Sequence, residues 1–182
     1  MRIIAGENRG LALASVGKGD PGAHLRPTSD RVRESLFSML ASRIDFDGLI
    51  VLDLFAGTGA LGLEALSRGA AHATFVDSGR VAQRLIRDNI KRTGRAAQAT
   101  LLGTDAARLP LTDAPADLIF LDPPYGKSLG QPALRHARDQ GWIAPDAMIV
   151  WEESRPQSAP GFGELTNRRY GDTHVTLLEP LP

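Results

Sequence analysis

The amino-acid sequence predicts an α/β fold with a mostly parallel sheet. Five apolar runs of four to six residues mostly alternate with longer segments whose apolar residues recur at helical spacing. Such alternation is typical of strand–helix–strand units, which build parallel sheets. After the fifth run, two strand-like segments meet at Gly171 and Asp172. This turn predicts a terminal hairpin, so that the sheet is parallel except at one edge.

The composition limits the possible functions. The 182 residues suit one domain with a substantial core. Lys plus Arg and Asp plus Glu both number 21, so the net charge gives no indication of a nucleic-acid partner. The absence of cysteine excludes disulfides, thiolate zinc sites and a cysteine nucleophile, and it fits a reducing cytosol. The four histidines lack metal-ligand spacing, and no run approaches the roughly 20 apolar residues of a membrane span. We expect a cytoplasmic, monomeric protein without a metal or membrane partner.

Residues 1–27 stand apart from the rest of the chain and predict an N-terminal β-hairpin arm. Two short apolar runs, residues 2–5 and 11–14, flank a turn at residues 6–10. Basic side chains outnumber acidic ones here; they are Arg2, Arg9, Lys18 and Arg26, against Glu7 and Asp20. The arm could grip phosphates, or it could be a plain β-extension with solvated charges. Residues 28–182 then form the main domain.

A helix is predicted from Thr28 or Ser29 to about Ser42. Either residue can cap its N-terminus, and Asp30 suits the first turn. The apolar residues at helical spacing are Val32, Leu36, Met39 and Leu40. Two arginines, Arg31 and Arg33, lie off this stripe, and we expect both to be solvated.

The central stretch is a strand at residues 50–55, a glycine turn, and a helix to about Arg68. Gly57-x-Gly59-x-x-Gly62, with Asp77 about twenty residues later, matches a dinucleotide-binding fingerprint. However, Asp53 lies inside the strand, and a carboxylate there repels a pyrophosphate. It suits a ligand with a cationic end, such as the amino group of a methionine moiety. Asp53 therefore favours S-adenosylmethionine, while a nicotinamide cofactor remains the alternative.

The next two strands also end in acids. Asp77 closes the strand at residues 72–77, where ligands of open α/β sheets bind, and it could accept both ribose hydroxyls or cap the helix at 79–92. Asp105 follows the strand at 99–102 and could reach an adenine amine or cap the segment after it. The helix carries a basic stripe, which either follows an RNA backbone or is a solvated face; its members are Arg80, Arg84, Arg87 and Lys91.

The fourth strand, residues 116–121, leads into Asp122-Pro123-Pro124-Tyr125. The prolines fix the backbone and remove two N–H donors, so the turn presents carbonyls and the Asp122 carboxylate as acceptors. Acceptors suit an amine, whose hydrogens they bind while its lone pair points at an electrophile. Tyr125 offers a face for stacking a base. The motif thus predicts a site for the exocyclic amine of a planar ring; the alternative is a turn without chemistry.

The rest of the chain completes the sheet. A helix is predicted from after Lys127 to about Gln140, and a fifth strand at residues 148–153. Residues 164–170 and 173–178 alternate as the two strands of the hairpin.

These motifs resemble the class I S-adenosylmethionine-dependent methyltransferases that act on exocyclic amines. The glycine loop, Asp77 and the Asp122 turn carry that resemblance. The segment from Arg26 to Phe37, the N-terminal Arg2-Ile3-Ile4-Ala5-Gly6 and Trp151-Glu152-Glu153-Ser154 narrow it to the RsmD family over essentially the whole chain. Members of that family methylate guanine N2 in 16S ribosomal RNA.

The resemblance implies a Rossmann-like, seven-stranded sheet and a set of site residues. The implied cofactor residues are Asp53, Phe55, Ala56, Gly57, Thr58, Gly59, Asp77, Ser78, Asp105 and Ala106. The implied catalytic residues are Asp122, Pro123, Pro124 and Tyr125. It also makes the arm an RNA-contacting element; the implied RNA-binding residues are Arg2, Arg9, Arg26 and Arg31. The partner would be 16S rRNA or the assembling small subunit. One departure is Asp77, where the family more often has glutamate.

Four other functions remain open at this stage. DNA adenine-N6 methyltransferases share the Asp/Asn-Pro-Pro-Tyr turn but usually add a target-recognition domain, for which this chain has no room. Protein-glutamine methyltransferases would normally carry Asn where this chain has Asp122. A nicotinamide oxidoreductase is favoured only by the glycine spacing, and a non-catalytic assembly factor would bind subunits without the cofactor.

Overall fold

The computed structural model describes residues 1–17 and 28–182, which form four α-helices and seven β-strands. In chain order these are α1 (Asp30–Ala41), β1 (Ile50–Leu54), α2 (Ala60–Ser67), β2 (His72–Val76), α3 (Arg80–Thr93), β3 (Ala99–Leu102), β4 (Ala116–Leu121), α4 (Gly130–Asp139), β5 (Ile143–Glu153), β6 (Phe162–Tyr170) and β7 (Thr173–Pro180). All seven strands join one sheet in the order β3-β2-β1-β4-β5-β7-β6.

The strand pairing confirms the mixed sheet. The first five strands pair in parallel, and β7 pairs antiparallel with both β5 and β6. Because β1 lies between β2 and β4, the chain changes direction across the sheet there, and this is where open α/β sheets bind ligands. Two apolar clusters cover the two faces of the sheet. The largest difference from prediction is in β5, which begins at Ile143 and not at Met148; Pro145 and Asp146 interrupt the apolar pattern before Met148, so the sequence placed the start too late. Strand β6 begins two residues earlier than predicted, and β7 ends two residues later.

Helix α1 begins as predicted, but one of its arginines is buried. The Ser29 hydroxyl accepts a hydrogen bond from Val32 N at 3.3 Å, which makes Ser29 the N-cap. Arg31 is exposed, whereas Arg33 is 0% exposed, so the prediction of a solvated Arg33 was wrong. Helical spacing places Arg33 beside the apolar stripe, and Glu64 on α2 supplies a carboxylate to it, with Nη1 and Oε2 3.8 Å apart.

The N-terminal segment, residues 1–17, folds back on itself through one bridge between Arg2 and Ala12. Backbone bonds from Ile3 N to Leu11 O (3.0 Å) and from Leu13 N to Met1 O (3.1 Å) complete a short hairpin. Ile3 and Leu13 are buried in the core that they share with α1 and α2. The division at residue 27 stays a prediction, since residues 18–27 lie outside the described part of the chain.

Two side chains of the helices fasten this N-terminal segment. The Glu64 carboxylate accepts Ile4 N at 2.8 Å and Ala5 N at 3.0 Å. The side-chain oxygen of Asn89 accepts a hydrogen bond from Ala14 N at 2.7 Å. Its side-chain nitrogen donates to Ala14 O at 3.0 Å and to Thr58 O of the glycine loop at 2.9 Å. These bonds satisfy backbone groups that have no strand partner. The segment is therefore attached to the same helices that carry the glycine loop.

Gly6 allows this segment to lie close to α2, and its substitution tests that contact. Gly6 has φ +82°, and a Cβ there would lie 1.8 Å from Ser67 O. We expect Gly6→Ala to destabilise the fold by roughly 2–4 kcal/mol, from the positive φ and the steric clash together. Gly10→Ala is the matched control, because Gly10 has φ +81° but nothing within 4 Å of its Cβ position. Thermal unfolding of both variants measures the difference, and equal losses would contradict the close approach.

Candidate active site

A cleft of about 1020 Å³ opens at the carboxyl ends of the parallel strands. This volume is at the upper end of the roughly 300–1,000 Å³ of small-molecule sites, so the cleft can hold a ligand of nucleoside size together with part of a second one. Residues following β1, β2, β3 and β4 all contribute to its lining. The predicted site residues among them are Asp53, Phe55, Ala56, Gly57, Thr58, Asp77, Ser78, Asp105, Ala106, Asp122, Pro123, Pro124 and Tyr125.

The glycine loop owes its shape to left-handed backbone. Phe55, Gly57 and Gly59 have φ of 60°, 60° and 77°. Gly59 is the one predicted cofactor residue that does not line the cleft; it is the N-cap of α2 and packs near the Phe75 ring. A Cβ on Gly62 would lie 2.5 Å from that ring, so this third glycine permits close helix–sheet packing.

Asp53 is buried at the centre of the loop. It is 1% exposed, and its Oδ2 accepts a hydrogen bond from Gly62 N at 3.0 Å. Burial raises the pKa of Asp53 to about 8, against the effect of the Gly62 bond and with help from the charges of Asp77 and Glu152. The carboxyl thus anchors the first turn of α2, a contact that the sequence did not suggest, while it lines the cleft as predicted.

The acids after β2 and β3 bind backbone N–H groups and also line the cleft. Asp77 accepts Gly79 N at 2.8 Å and Gly57 N at 3.0 Å, which joins the start of α3 to the glycine loop. Burial raises its pKa, and these two bonds oppose the shift. Asp105 accepts Ala107 N at 2.8 Å as the N-cap of a short 3₁₀ turn. Both residues nevertheless line the cleft.

The Asp122 turn closes the other end of the cleft. Asp122 N donates to Leu54 O at 3.3 Å, which holds the turn beside the glycine loop. Burial raises the pKa of Asp122 well above its ordinary value, and the charges of Glu152, Asp53 and Glu153 add to this shift. Carboxyl groups therefore crowd this end of the cleft, and such crowding favours a cationic ligand.

Contacts from the end of the sheet hold the turn in place. Glu153 Oε1 accepts Gly126 N at 2.7 Å, and its Oε2 accepts the Ser154 hydroxyl at 2.7 Å. Burial acts to raise the pKa of Glu153, but these hydrogen bonds outweigh it and the pKa is lowered. The Tyr125 hydroxyl lies 3.0 Å from Thr173 Oγ1 of β7. Sequence reasoning used Glu153 and Ser154 only as family motif residues and gave Thr173 no role at the site.

Substitution of Glu153 tests whether these bonds position the turn. We expect Glu153→Ala to lower catalytic turnover by about tenfold or more, because small displacements of reacting groups reduce rates strongly. Cofactor affinity should change less than about threefold, since Glu153 does not line the cleft. Glu153→Gln keeps an acceptor for Gly126 N and should restore most of the rate. Single-turnover kinetics and equilibrium binding measure the two effects, and a loss of binding equal to the loss of rate would contradict a positioning role.

Basic residues lie around the cleft, although not all where the sequence placed them. The predicted RNA-binding residues Arg2, Arg9 and Arg31 are exposed, and Arg26 lies outside the described residues. Arg80, a member of the predicted basic stripe, and Lys127, which the sequence did not single out, are exposed and line the cleft itself. The whole stripe of α3 is exposed; its members are Arg80, Arg84, Arg87 and Lys91.

The described ranges contain neither a cluster of metal ligands nor a membrane-spanning helix. Among residues 1–17 and 28–182, no three His, Asp or Glu side chains come together as metal ligands. In the same part of the chain, no helix is both long enough and apolar enough to cross a membrane.

Comparison with known proteins gives consistent matches. Residues 1–179 match the family described as "Conserved hypothetical protein 95". Ribosomal RNA small subunit methyltransferase D of Escherichia coli is 41% identical over 162 residues, covering 88% of this chain and 78% of that protein. YlbH of Bacillus subtilis is 37% identical over 97% of both chains.

Solved structures of related proteins have the same fold as this chain. The structure of yhhF from Escherichia coli has a TM-score of 0.83 at 34% identity and covers 100% of this chain and 98% of that one. TrmN from Thermus thermophilus has a TM-score of 0.70 at 27% identity, over 88% of this chain and 52% of its own. The chain is thus similar to these proteins over nearly its whole length.

Proposed function

Because the chain belongs to the RsmD family of methyltransferases, we propose that it transfers a methyl group from S-adenosylmethionine to guanine N2 in 16S ribosomal RNA. The observation that carries this proposal is the arrangement of the cleft. An amine-binding Asp122 turn and a glycine loop with its strand-end acids line one continuous space. A methyl donor and an acceptor amine need such a shared space, because both must meet for transfer.

The residues around the loop fit S-adenosylmethionine better than a nicotinamide cofactor. Asp53 places a carboxyl beside the glycine loop; a bound cation favours its ionised form, whereas the phosphates of a dinucleotide would oppose ionisation. The cationic end of S-adenosylmethionine therefore suits this carboxyl. Asp77 and Asp105 stand where ribose hydroxyls and an adenine amine would find acceptors. Bound S-adenosylmethionine supplies a methyl group, which forms a bond to the amine nitrogen as the carbon–sulfur bond breaks and its electrons pass to sulfur.

The turn performs the chemistry at the acceptor amine. The lone pair of guanine N2 is conjugated with the ring and is a poor nucleophile. Asp122 accepts one of the amine hydrogens, and a carbonyl near Pro123 accepts the other, so that the nitrogen becomes more tetrahedral and its lone pair more available. After transfer the cationic nitrogen loses a proton, and Asp122 is basic enough to take it because its pKa is raised. Tyr125 stacks on the base, which must leave its helix to enter the cleft.

Basic residues hold the RNA. Arg2, Arg9 and Arg31 remain proposed contacts, as does Arg26, which lies outside the described residues; Arg80 and Lys127 join them because they line the cleft. Phosphate binding of this kind needs no net positive charge on the whole protein, only a local excess. A substrate in the assembling small subunit implies that the protein works in the cytoplasm.

Transfer of label to ribosomal RNA tests the proposal. The protein is incubated with methyl-labelled S-adenosylmethionine and either small subunits that lack the modification or naked 16S rRNA, and the digested nucleosides are identified. We expect label in N2-methylguanosine at one site. Label in another nucleoside would overturn the guanine assignment, and no label in either RNA would overturn the proposed RNA methyltransferase activity. Equilibrium binding of NADH, measured beside S-adenosylmethionine, decides the cofactor independently.

A further inference from the structure

Unpartnered polar atoms are concentrated around Glu152, the strand neighbour of Asp122. Among the described residues, four buried side-chain atoms lack a hydrogen-bond partner, and three of these belong to Arg33 (Nε and Nη1) and Glu152 (Oε1). Both side chains are almost completely buried, at 0% and 2% exposure. A buried donor or acceptor without a partner costs free energy, and native proteins contain few of them. Their concentration at one place indicates a missing partner there.

Neighbouring residues occupy the remaining atoms of both groups. Glu152 Oε2 accepts the hydroxyl of Thr28 at 3.0 Å, and Oε1 is left over. Arg33 Nη2 donates to Arg2 O at 2.6 Å and pairs with Asp30. Nη1 has only the distant Glu64 carboxylate, at 3.8 Å, and Nε has none. One acceptor and two donors therefore remain available.

These groups are next to the proposed amine site. The pairing of Leu121 with Trp151 places the residues that follow, Asp122 and Glu152, side by side at the ends of β4 and β5. Thr28, Arg33 and Asp122 line the cleft. The charge of Arg33 acts on Glu152, and that of Glu152 acts on Asp122, so Glu152 lies within electrostatic range of both.

We propose that Asp122, Glu152 and Arg33 form a subsite that reads the edge of the target base, in the order acceptor, acceptor, donor. The edge of guanine presents N2–H, N1–H and O6, which is the complementary order. Asp122 accepts from N2, Glu152 Oε1 accepts from N1, and Arg33 donates to O6. The inference rests on the proposed function and adds the residues that choose the base.

The same order excludes the other bases that carry an exocyclic amine. Adenine and cytosine present an amine followed by a ring nitrogen with a lone pair, and this lone pair would face the Glu152 carboxylate. Burial raises the pKa of Glu152, and the Thr28 hydroxyl and the charge of Arg33 oppose that shift by favouring the ionised form. A site built to bind an N–H group rejects analogues that lack it far more strongly than an apolar site does. Because Glu152 Oε1 is buried and Glu152 does not line the cleft, seating the base requires the groups that cover this atom to move.

Base analogues in the target RNA test the proposal. A synthetic substrate carries either guanosine or 2,6-diaminopurine riboside at the methylated position. Both have the C2 amine, but diaminopurine has an acceptor at N1 and an amine in place of O6. We expect the wild type to prefer guanosine by at least about tenfold in kcat/KM, the range of one good base-edge contact.

Glu152→Gln should shrink that preference by at least about fivefold, because the Gln amide can donate to the N1 lone pair. Loss of rate on both substrates by the same factor would show a merely structural role and overturn the proposal. If Glu152→Gln does not fold, Thr28→Val decides: it removes the hydroxyl that holds Glu152, and an unchanged preference would also overturn it. A wild type that methylates neither substrate would instead refute the proposed function. A wild type that methylates both equally would refute the subsite alone.

Discussion

Asp122→Ala is expected to lower turnover by about a hundredfold or more while S-adenosylmethionine affinity stays within about threefold. The carboxylate stabilises the transition state through the amine hydrogens, and losing one preorganised group of this kind costs about that much. Asp122→Asn keeps an acceptor but not a base, so its rate should lie between those of wild type and Ala. Asp113→Ala, which removes an exposed acid just before β4, is the matched control and should have no effect.

The pH profile gives a second measurement of Asp122. Burial first, and then the charges of Glu152 and Asp53, raise the pKa of Asp122. A raised pKa means that the protonated form, which cannot accept the amine hydrogen or its proton as well, persists to higher pH than it does for an ordinary aspartate. Single-turnover rates should therefore rise with pH above the range in which an ordinary aspartate ionises, and Asp122→Asn should lose this limb. Equal loss of turnover and cofactor binding in Asp122→Ala would contradict the assigned role.

Binding of S-adenosylmethionine is expected to tighten as pH rises from 6 to 8 and to release a proton. The pKa of Asp53 is raised to about 8, chiefly by burial, so this carboxyl is largely neutral in that range without ligand. A cation bound beside it favours the carboxylate, which lowers the pKa in the complex. Removing the proton from Asp53 costs more free energy at lower pH, so the affinity for S-adenosylmethionine falls as the pH falls.

Calorimetric titration in buffers of different ionisation enthalpy measures the released protons. Asp53→Asn keeps an acceptor for Gly62 N but cannot ionise, so its binding should lose the pH dependence that belongs to Asp53. Any pH dependence of binding that this variant keeps comes from other titrating groups, including those of the ligand. At pH 8 we expect its affinity to be about tenfold lower than that of wild type, since hydrogen bonds to charged groups contribute about 1.5–3 kcal/mol. An identical pH dependence in both proteins would contradict a role for Asp53 at the cationic end.

The sequence alone was enough to predict the sheet, the glycine loop and the turn that follows β4. All of these arise from interactions between residues that are near one another in the chain. Strand and helix periodicity is local, and Gly57 and Pro123 act through their own backbone angles. The acids at strand ends were predictable for a similar reason, because the carboxyl ends of parallel strands meet at one edge of the sheet.

The tertiary structure alone decided what surrounds Asp122. Thr28 and Glu152 lie 124 residues apart in sequence yet share a hydrogen bond, and no periodicity relates them. Arg31 and Arg33 have the same side chain but lie on different faces of α1. Arg33 is buried because its face packs against α2, where Glu64 compensates its charge. Burial and pairing of charges depend on which elements become neighbours. This is why the sequence predicted which residues line the cleft, whereas the buried groups around Asp122 emerged only from the packed fold.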